Sequence, residues 1–307
     1  MNAVEVKGLV KKFDSLKAVN EISFDIQEGE IFGFLGPNGA GKSTTVNMLT
    51  CQIRKTSGDA KIFGINIGDA KKIRKKIGIV PQELSLNGLL TAKQNLYLYA
   101  TLYDVPKDEF ERKSEELLEA MGMLKRQNDL VKTFSGGMKQ RLNVILGLMH
   151  RPDILFLDEP TTGMDPQARR MIWDFIRNIN KEGMTIFLTT HYMEEADFLC
   201  DRVAVIDEGR IQAIDTPMNL KRKLKGQDVI EVQMEYDDDI IADVEAVDGV
   251  NKAIYEKGSL KLYIADRDKL LLDIAKALSE RPIKSISSVE PTLEDVFISI
   301  TGKSLRD

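Results

Sequence analysis

The densest chemistry in the chain lies in one run, Gly36-Pro37-Asn38-Gly39-Ala40-Gly41-Lys42-Ser43-Thr44. Its glycines free the backbone for conformations that a Cβ blocks, so successive N–H groups can turn inward around an anion. Lys42 supplies a mobile point charge suited to β- and γ-phosphates. The Ser43 hydroxyl is a hard oxygen of the kind that completes a Mg²⁺ shell otherwise filled by water. The run follows the apolar segment Ile31–Leu35 and leads into a helix-competent segment beginning Thr45-Val46-Asn47. That order predicts a strand, a phosphate-binding loop and a helix whose positive end faces the same anion.

Two further strand ends carry chemistry. Ile154-Leu155-Phe156-Leu157 runs into Asp158-Glu159-Pro160. An acid closing a buried strand can hold Mg²⁺ directly or through water, and its neighbour, pointing differently, can polarise a water for in-line attack on a γ-phosphate. Thr185–Thr190 is a second apolar run and ends at His191, one of only two histidines. A lone histidine there is either structural or a group that holds a transferring phosphoryl and its water in geometry. His150, on an apolar helix, reads as structural. Phe13, in Lys11-Lys12-Phe13-Asp14, is equally a core ring or a ring for stacking on a nucleobase.

These groups need a scaffold that gathers strand ends. Residues 2 to 35 read as short strands, and Lys76–Val80 as a further apolar strand ending at Pro81-Gln82-Glu83. Thr91 to Met123 reads as mostly helical, with Thr91 as cap and Leu96, Tyr99, Leu102 and Tyr103 on one face, a stripe for a core or a protein interface. Residues 83 to 133 are therefore a helical insert. With the helix expected from the Ser135 region through His150, they make a helical subdomain of about 83–150. A helix over about Ala168 to Asn180 precedes the strand ending at His191. Apolar strands alternating with helices, with functional groups at their carboxyl ends, predict a largely parallel α/β sheet.

Beyond the turn Asp207-Glu208-Gly209-Arg210 the character changes. The basic stretch Leu220-Lys221-Arg222-Lys223-Leu224-Lys225-Gly226 marks a boundary between domains of 1–222 and 223–307. The second half reads β-α-β-β-α-β, from Val229–Tyr236 through Leu260–Ala265 to Ile283–Val289, which is a ferredoxin-like order. Thr292 caps a last helix over Leu293–Thr301.

The chain has 307 residues, ample for two domains. Its 43 basic and 48 acidic residues give a net charge of −5, so nucleic acid is not expected as a partner. Lys71-Lys72 and Lys75-Lys76 read as solvated helix faces. Cys51 and Cys200 lack the spacing of a metal site or a disulfide framework, which suits a reducing compartment. The N-terminus lacks the pattern of a signal peptide, and no apolar run approaches the ~20 residues that span a bilayer, so the chain is expected to be soluble by itself.

A phosphate loop alone fits kinases, GTPases and motors. Ser135-Gly136-Gly137 narrows this, lying 23 residues before Asp158, with Asp165 and His191 beyond. In motif order and spacing, residues 3 to 222 resemble the ATP-binding subunits of ABC transporters. The fold this implies is an α/β phosphate-loop NTPase (ABC ATPase) domain with a helical subdomain, followed by a small α+β ferredoxin-like C-terminal domain. The resemblance implies that Asn38, Gly39, Ala40, Gly41, Lys42, Ser43 and Thr44 hold the phosphates of ATP. Phe13 would stack on adenine where the family usually has Tyr. Ser43, Gln82 and Asp158 would surround Mg²⁺, and Glu159, with Lys42, Gln82 and His191, would run hydrolysis. Ser135, Gly136 and Gly137 would be the signature, binding the γ-phosphate of ATP held by another subunit, with Met138 standing where the family usually has Gln. Asp165 would sit at the dimer seam.

One loop and one signature per chain then require two copies, head to tail, around a two-fold axis. Phe134–Leu142 and the ending Glu290-Pro291-Thr292-Leu293-Glu294-Asp295-Val296-Phe297 resemble the ATPases of daunorubicin-resistance-type exporters and related sodium or multidrug efflux systems. This implies a peripheral subunit, expected as a homodimer, at the cytoplasmic face of the cell membrane, working with integral-membrane permease subunits. Two other readings compete: a soluble ABC-type ATPase of translation, repair or assembly, and a non-catalytic nucleotide-dependent regulator.

Overall fold

The structure is a computed structural model of the chain and describes residues 1–223, 228–237, 239–256, 258–264, 267–279, 281–289 and 291–302. It divides into two compact units, Met1–Pro217 and one beginning at Met218.

In the first unit, N-terminal alternation produces β1 (Asn2–Phe13) and β2 (Leu16–Gln27), an antiparallel hairpin. These strands are longer than the sequence suggests, because register shifts, such as that between Val6 and Leu9, carry the pairing through bends. Next come β3 (Ile31–Leu35), α1 (Lys42–Leu49), β4 (Ser57–Ile62) and β5 (Ile65–Asn66). The last two strands were not expected. They complete an antiparallel sheet ordered β2-β1-β4-β5, with Ala60 and Ile62 buried on either side of exposed Lys61.

The short α2 (Ala70–Ile73) leads to β6 (Ile77–Val80). The stretch expected to be mostly helical holds two helices, α3 (Ala92–Leu102) and α4 (Lys107–Ala120). Pro106 disfavours helical backbone in the residue before it, and Asp104 takes a positive φ of 56°. Thr91 does cap α3, in a reciprocal capping box with Gln94. The stripe on α3 is not one buried face: Leu96 is buried, Tyr99 and Tyr103 are half-buried and Leu102 is 69% exposed. The following helix, α5 (Gly136–Leu146), stops short of His150. That imidazole stacks on Tyr103 at 3.8 Å and lies 2.9 Å from the Ile77 carbonyl through Nε2.

The remaining elements of this unit are β7 (Ile154–Asp158), α6 (Pro166–Lys181), β8 (Thr185–Thr190), α7 (Met193–Leu199), β9 (Arg202–Asp207) and β10 (Arg210–Asp215), after which α8 (Pro217–Lys223) leads the chain into the second unit. They complete a second sheet, ordered β10-β9-β3-β8-β7-β6. Its strands are parallel from β9 to β6, and β10 turns back against β9 at Asp207–Arg210. Every residue of β3, β7 and β8 is buried, as a sheet covered on both faces requires. Phe24 of β2 stacks on Phe32 and packs against Phe34 and Phe187, joining the two sheets into one core with Val46, Met48 and Leu49 of α1. Because β3, β8, β7 and β6 are consecutive neighbours pointing the same way, the segments after them meet along one edge.

The second unit contains β11 (Asp228–Met234), α9 (Ile240–Glu245), β12 (Val250–Glu256), β13 (Ser259–Ile264), α10 (Arg267–Ala277), β14 (Ile283–Val289) and α11 (Leu293–Thr301). The antiparallel sheet order β12-β13-β11-β14 is that of a ferredoxin-like fold. Ile230, Val232, Leu260 and Leu262 meet Ile240 and Val244 of α9, Ile274 of α10 and Leu278 just after it in the core. Tyr263, on the opposite side of β13, donates its hydroxyl to Asp295 of α11 at 2.6 Å, and Thr292 caps that helix. Leu224, Lys225 and Gly226 of the expected boundary, and Lys257, Ala265 and Glu290 of the expected C-terminal elements, lie outside the described residues.

Candidate active site

The loop after β3 is shaped by its glycines. A Cβ on Gly36 would lie 2.1 Å from the Ile206 carbonyl oxygen, and one on Gly41, where φ is +99°, would lie 2.4 Å from that of Ala18. Gly39 also has a positive φ, 80°. Ala40 is buried beneath the loop, and Asn38 is exposed at its tip. Lys42, Ser43 and Thr44 form the first turn of α1, so the free N–H groups of the helix end open into the loop. The Lys42 Nζ curls back to donate to the carbonyls of Gly36 (2.8 Å) and Pro37 (3.1 Å).

Glu159 is the centre of the edge. Its backbone is left-handed, with φ 49°, and its N–H donates to both the carbonyl and the hydroxyl of Thr189 at 3.1 Å. A non-glycine residue held in this region by its surroundings turns the side chain away from the direction of Asp158, the strand's last residue. The Glu159 carboxylate meets Lys42 Nζ at 3.0 Å through Oε1. Through Oε2 it meets His191 Nδ1 at 3.1 Å, the Thr162 hydroxyl at 3.2 Å and Gln82 Nε2 at 3.4 Å. Loops after four strands thus converge on one carboxylate.

Asp158 faces the loop instead. Its Oδ1 accepts from the Ser43 hydroxyl at 3.1 Å and from the Thr189 hydroxyl. Burial pushes its carboxyl above the usual range against the bonds from Thr189 and Ser43. Burial also works to raise Glu159, but the Lys42 charge and hydrogen bond, His191 and Thr162 outweigh it and hold that carboxyl low. Two adjacent acids are therefore driven apart: Glu159 is held ionised, and Asp158 is costly to ionise without a further cation. Ser43 Oγ and Asp158 Oδ1 side by side fit Mg²⁺, which takes one or two protein oxygens and completes its shell with phosphate and water. Among the described residues no group of three or more His, Cys, Asp or Glu forms a cage that would hold a metal without substrate.

Among the described residues, none of the other expected residues is hydrogen-bonded to this cluster. Phe13 is at the end of β1, 44% exposed, with Lys11 Nζ 4.6 Å from its ring centre. Ser135 caps α5, accepting from the Met138 N–H at 3.3 Å, and Gly136, which opens the helix, is exposed with nothing within 4 Å of a Cβ built on it. Gly137 is half-buried, close to Ala168 and Met164. Asp165 is exposed and caps α6 through the Ala168 N–H at 2.9 Å.

Sequence reasoning missed Thr189, Thr162 and Asn143. Thr189 bridges Asp158 and Glu159, and its place two residues before His191 was a usable signal. Asn143, buried on α5, donates to the Pro81 carbonyl at 3.3 Å and accepts from the Ser85 N–H at 3.2 Å, tying the signature helix to the Gln82 loop. A polar residue on the buried side of a helix was its only mark.

An ABC transporter family model matches residues 19–162. The linearmycin resistance ATP-binding protein of Bacillus subtilis is 38% identical, covering 99% of this chain and 100% of that protein. The chain belongs to the ABC transporter family. It is the ATP-binding subunit, an ATPase. Other relatives of this ABC subunit include a Nod factor export ATP-binding protein of Ralstonia nicotianae (36% identical, 99% of this chain and 95% of that one) and the daunorubicin/doxorubicin resistance ATP-binding protein of Streptomyces peucetius (34%, 99% and 94%). Residues 216–301 match the C-terminal domain of the DrrA1-3-like ATP-binding proteins. Among solved structures, an ATP-binding subunit of an ABC transporter aligns with a TM-score of 0.66 at 28% identity, over 72% of this chain and 92% of that one. A dimeric ATP-binding cassette in a post-hydrolysis state with ADP and Pi aligns at 0.64 and 28%, over 69% and 98%. Among the described residues of the ABC subunit no helix is long and apolar enough to cross a membrane.

Proposed function

We propose that two copies of this chain bind two MgATP between them, head to tail, and that hydrolysis powers export through separate integral-membrane subunits. The observation that carries the reading is the convergence of Lys42, Gln82, Thr162 and His191 on Glu159, beside the Ser43–Asp158 pair. The Gly36–Thr44 loop receives the phosphates, and Lys42 exchanges its bond to Glu159 for the γ-phosphate. Ser43, Asp158 and Gln82 would hold Mg²⁺, which supplies charge neutralisation when bound. Glu159, released from Lys42 and still oriented by Thr162, accepts the proton of the attacking water, and His191 holds the transferring group. Phe13 stacks on the adenine.

Exposed Ser135 and Gly136, with half-buried Gly137 behind them, have the open backbone that close approach to a partner's γ-phosphate needs, and exposed Asp165 suits the seam. Asn143 links the signature helix to Gln82, so the state of the site reaches the helical subdomain and the membrane subunits beyond it. The names of the full-length relatives, two of resistance and one of export proteins, support export over the soluble alternatives. In this reading the chain works peripherally at the cytoplasmic face of the cell membrane. The test is isolation of tagged Glu159→Gln protein from solubilised native membranes with Mg²⁺ and ATP. A polytopic membrane protein is expected to come with it. Soluble partners only, with the chain absent from washed membranes, would refute the transport reading.

A further inference from the structure

Glu195 is wholly buried on α7, yet it belongs neither to the phosphate site nor to an ion pair. Its Oε1 accepts two hydrogen bonds at 2.8 Å, one from the Thr161 hydroxyl and one from the Trp173 indole N–H. Among the described residues its Oε2 has no hydrogen-bond partner, although the Thr190 hydroxyl and the Arg169 charge both act to hold the carboxyl down against burial. Thr161 lies two residues after Glu159, in the loop where Thr162 grips the Glu159 carboxylate. Trp173 lies on α6, whose N-terminus is capped by Asp165. The helix bearing Glu195 begins two residues after His191.

One oxygen therefore joins the three segments that carry Glu159, Asp165 and His191. A buried carboxyl with a free oxygen is a costly arrangement unless that oxygen carries a proton, and burial pushes this carboxyl up. A hydrophobic residue of similar size would fill the space without the cost but would tie nothing together.

We propose that Glu195 is a positioning residue for hydrolysis: through Thr161 and Trp173 it fixes the Pro160–Asp165 loop and so sets the Glu159 carboxylate against the attacking water. This rests on the reading of Glu159 as the group that activates water. Among the described residues no hydrogen bond or ion pair joins Glu195 to the Gly36–Thr44 loop, so its loss is expected to act on turnover more than on ATP binding. Trp173 is the only tryptophan in the chain, so its fluorescence reports the bond directly.

The experiment compares steady-state ATP hydrolysis and Trp173 emission, with and without Mg²⁺ and ATP, for the native chain, Glu195→Gln, Glu195→Ala, Thr161→Val and Glu159→Gln. A loop displaced by an ångström costs up to about 100-fold, so kcat in Glu195→Ala is expected to fall at least tenfold with KM for ATP within about twofold. Thr161→Val, which removes one hydroxyl, is expected to lose about threefold, and Glu195→Gln, which keeps the acceptor, to stay within about threefold of native. Emission is expected to change on adding Mg²⁺ and ATP in the native and Gln chains and to stay fixed in Glu195→Ala. Equal losses in Gln and Ala, a loss carried by KM, or unchanged kcat in Ala would overturn the proposal. Should Glu195→Ala fail to fold, Thr161→Val with native kcat overturns it alone. If Glu159→Gln keeps full turnover, the reading of the site itself fails; if only Glu159→Gln loses turnover, the positioning role alone fails.

Discussion

Replacing Lys42 with Met in the nucleotide-free protein tests the electrostatics of the site most directly. The side chains of Lys42 and Glu159 are only 3% and 4% exposed, at 3.0 Å. Removing one member of such a pair leaves the other charge buried and uncompensated, at a cost of about 3–5 kcal/mol. Glu159 keeps Thr162, Gln82 and His191, so the lower end, about 3 kcal/mol, applies. In a unit of this size that lowers Tm by roughly 6–12 °C. Adding Glu159→Gln removes the orphaned charge, and the double variant is expected to regain about 2 kcal/mol over Lys42→Met.

The pH dependence has a definite sign. In the native chain burial acts to raise Glu159 and Lys42 is the strongest opposing influence, so the carboxyl sits low. Its contribution to stability is present above the unfolded pKa and lost as pH falls through the folded value. Without Lys42 only His191 and Thr162 still oppose burial, so the folded pKa lies above that of the native chain, and the variant takes up its proton at higher pH and gains stability relative to the native chain as pH falls. The cost of Lys42→Met must therefore shrink as pH falls from about 7 toward about 5. Urea unfolding of the native chain, Lys42→Met, Glu159→Gln and the double variant at both pH values measures this. Strict additivity in the double variant, or a cost independent of pH, would refute the argument.

Glu159→Gln is expected to lower kcat for ATP by about 10²–10⁴-fold with nucleotide binding retained, as phosphate release and nucleotide titration would measure. Gly41→Ala meets both a positive φ and the Ala18 carbonyl, so it should destabilise the protein by about 1–3 kcal/mol in thermal unfolding. Gly136→Ala meets neither, so its Tm should hold or rise slightly while turnover falls, because the methyl group occupies the edge proposed to approach a partner's phosphate. Mixing Lys42→Met with Gly136→Asp chains should restore part of the turnover that each lacks alone, since one composite site of the mixed dimer is intact; no restoration would argue against head-to-tail pairing.

The strand ends were legible because each announces itself locally. Ile31–Leu35 and Ile154–Leu157 are continuous apolar runs and Thr185–Thr190 has an apolar centre; the first stops at Gly36-Pro37, the other two at Asp158-Glu159 and His191. Less was legible where the signal was spread out. The strand Ser57–Ile62 shows only two apolar residues on its buried side, and the break between α3 and α4 turns on Pro106, against an otherwise helical pattern. Thr189 reads as one more β-branched strand residue, and its bonds to Asp158 and Glu159 depend on β8 lying beside β7 in register.

Glycine freedom, apolar periodicity and motif spacing are properties of the chain near each residue, so the phosphate loop, the order of the motifs, both fold types and the family are legible in the order of the amino acids. The tertiary structure decided which groups meet. That Lys42, Gln82, Thr162 and His191 share one carboxylate, and that Glu195 joins three segments through one oxygen, follows from the sheet order β3-β8-β7-β6 and the packing of α6 and α7. No local pattern encodes that order, since it is set by which apolar faces are buried together.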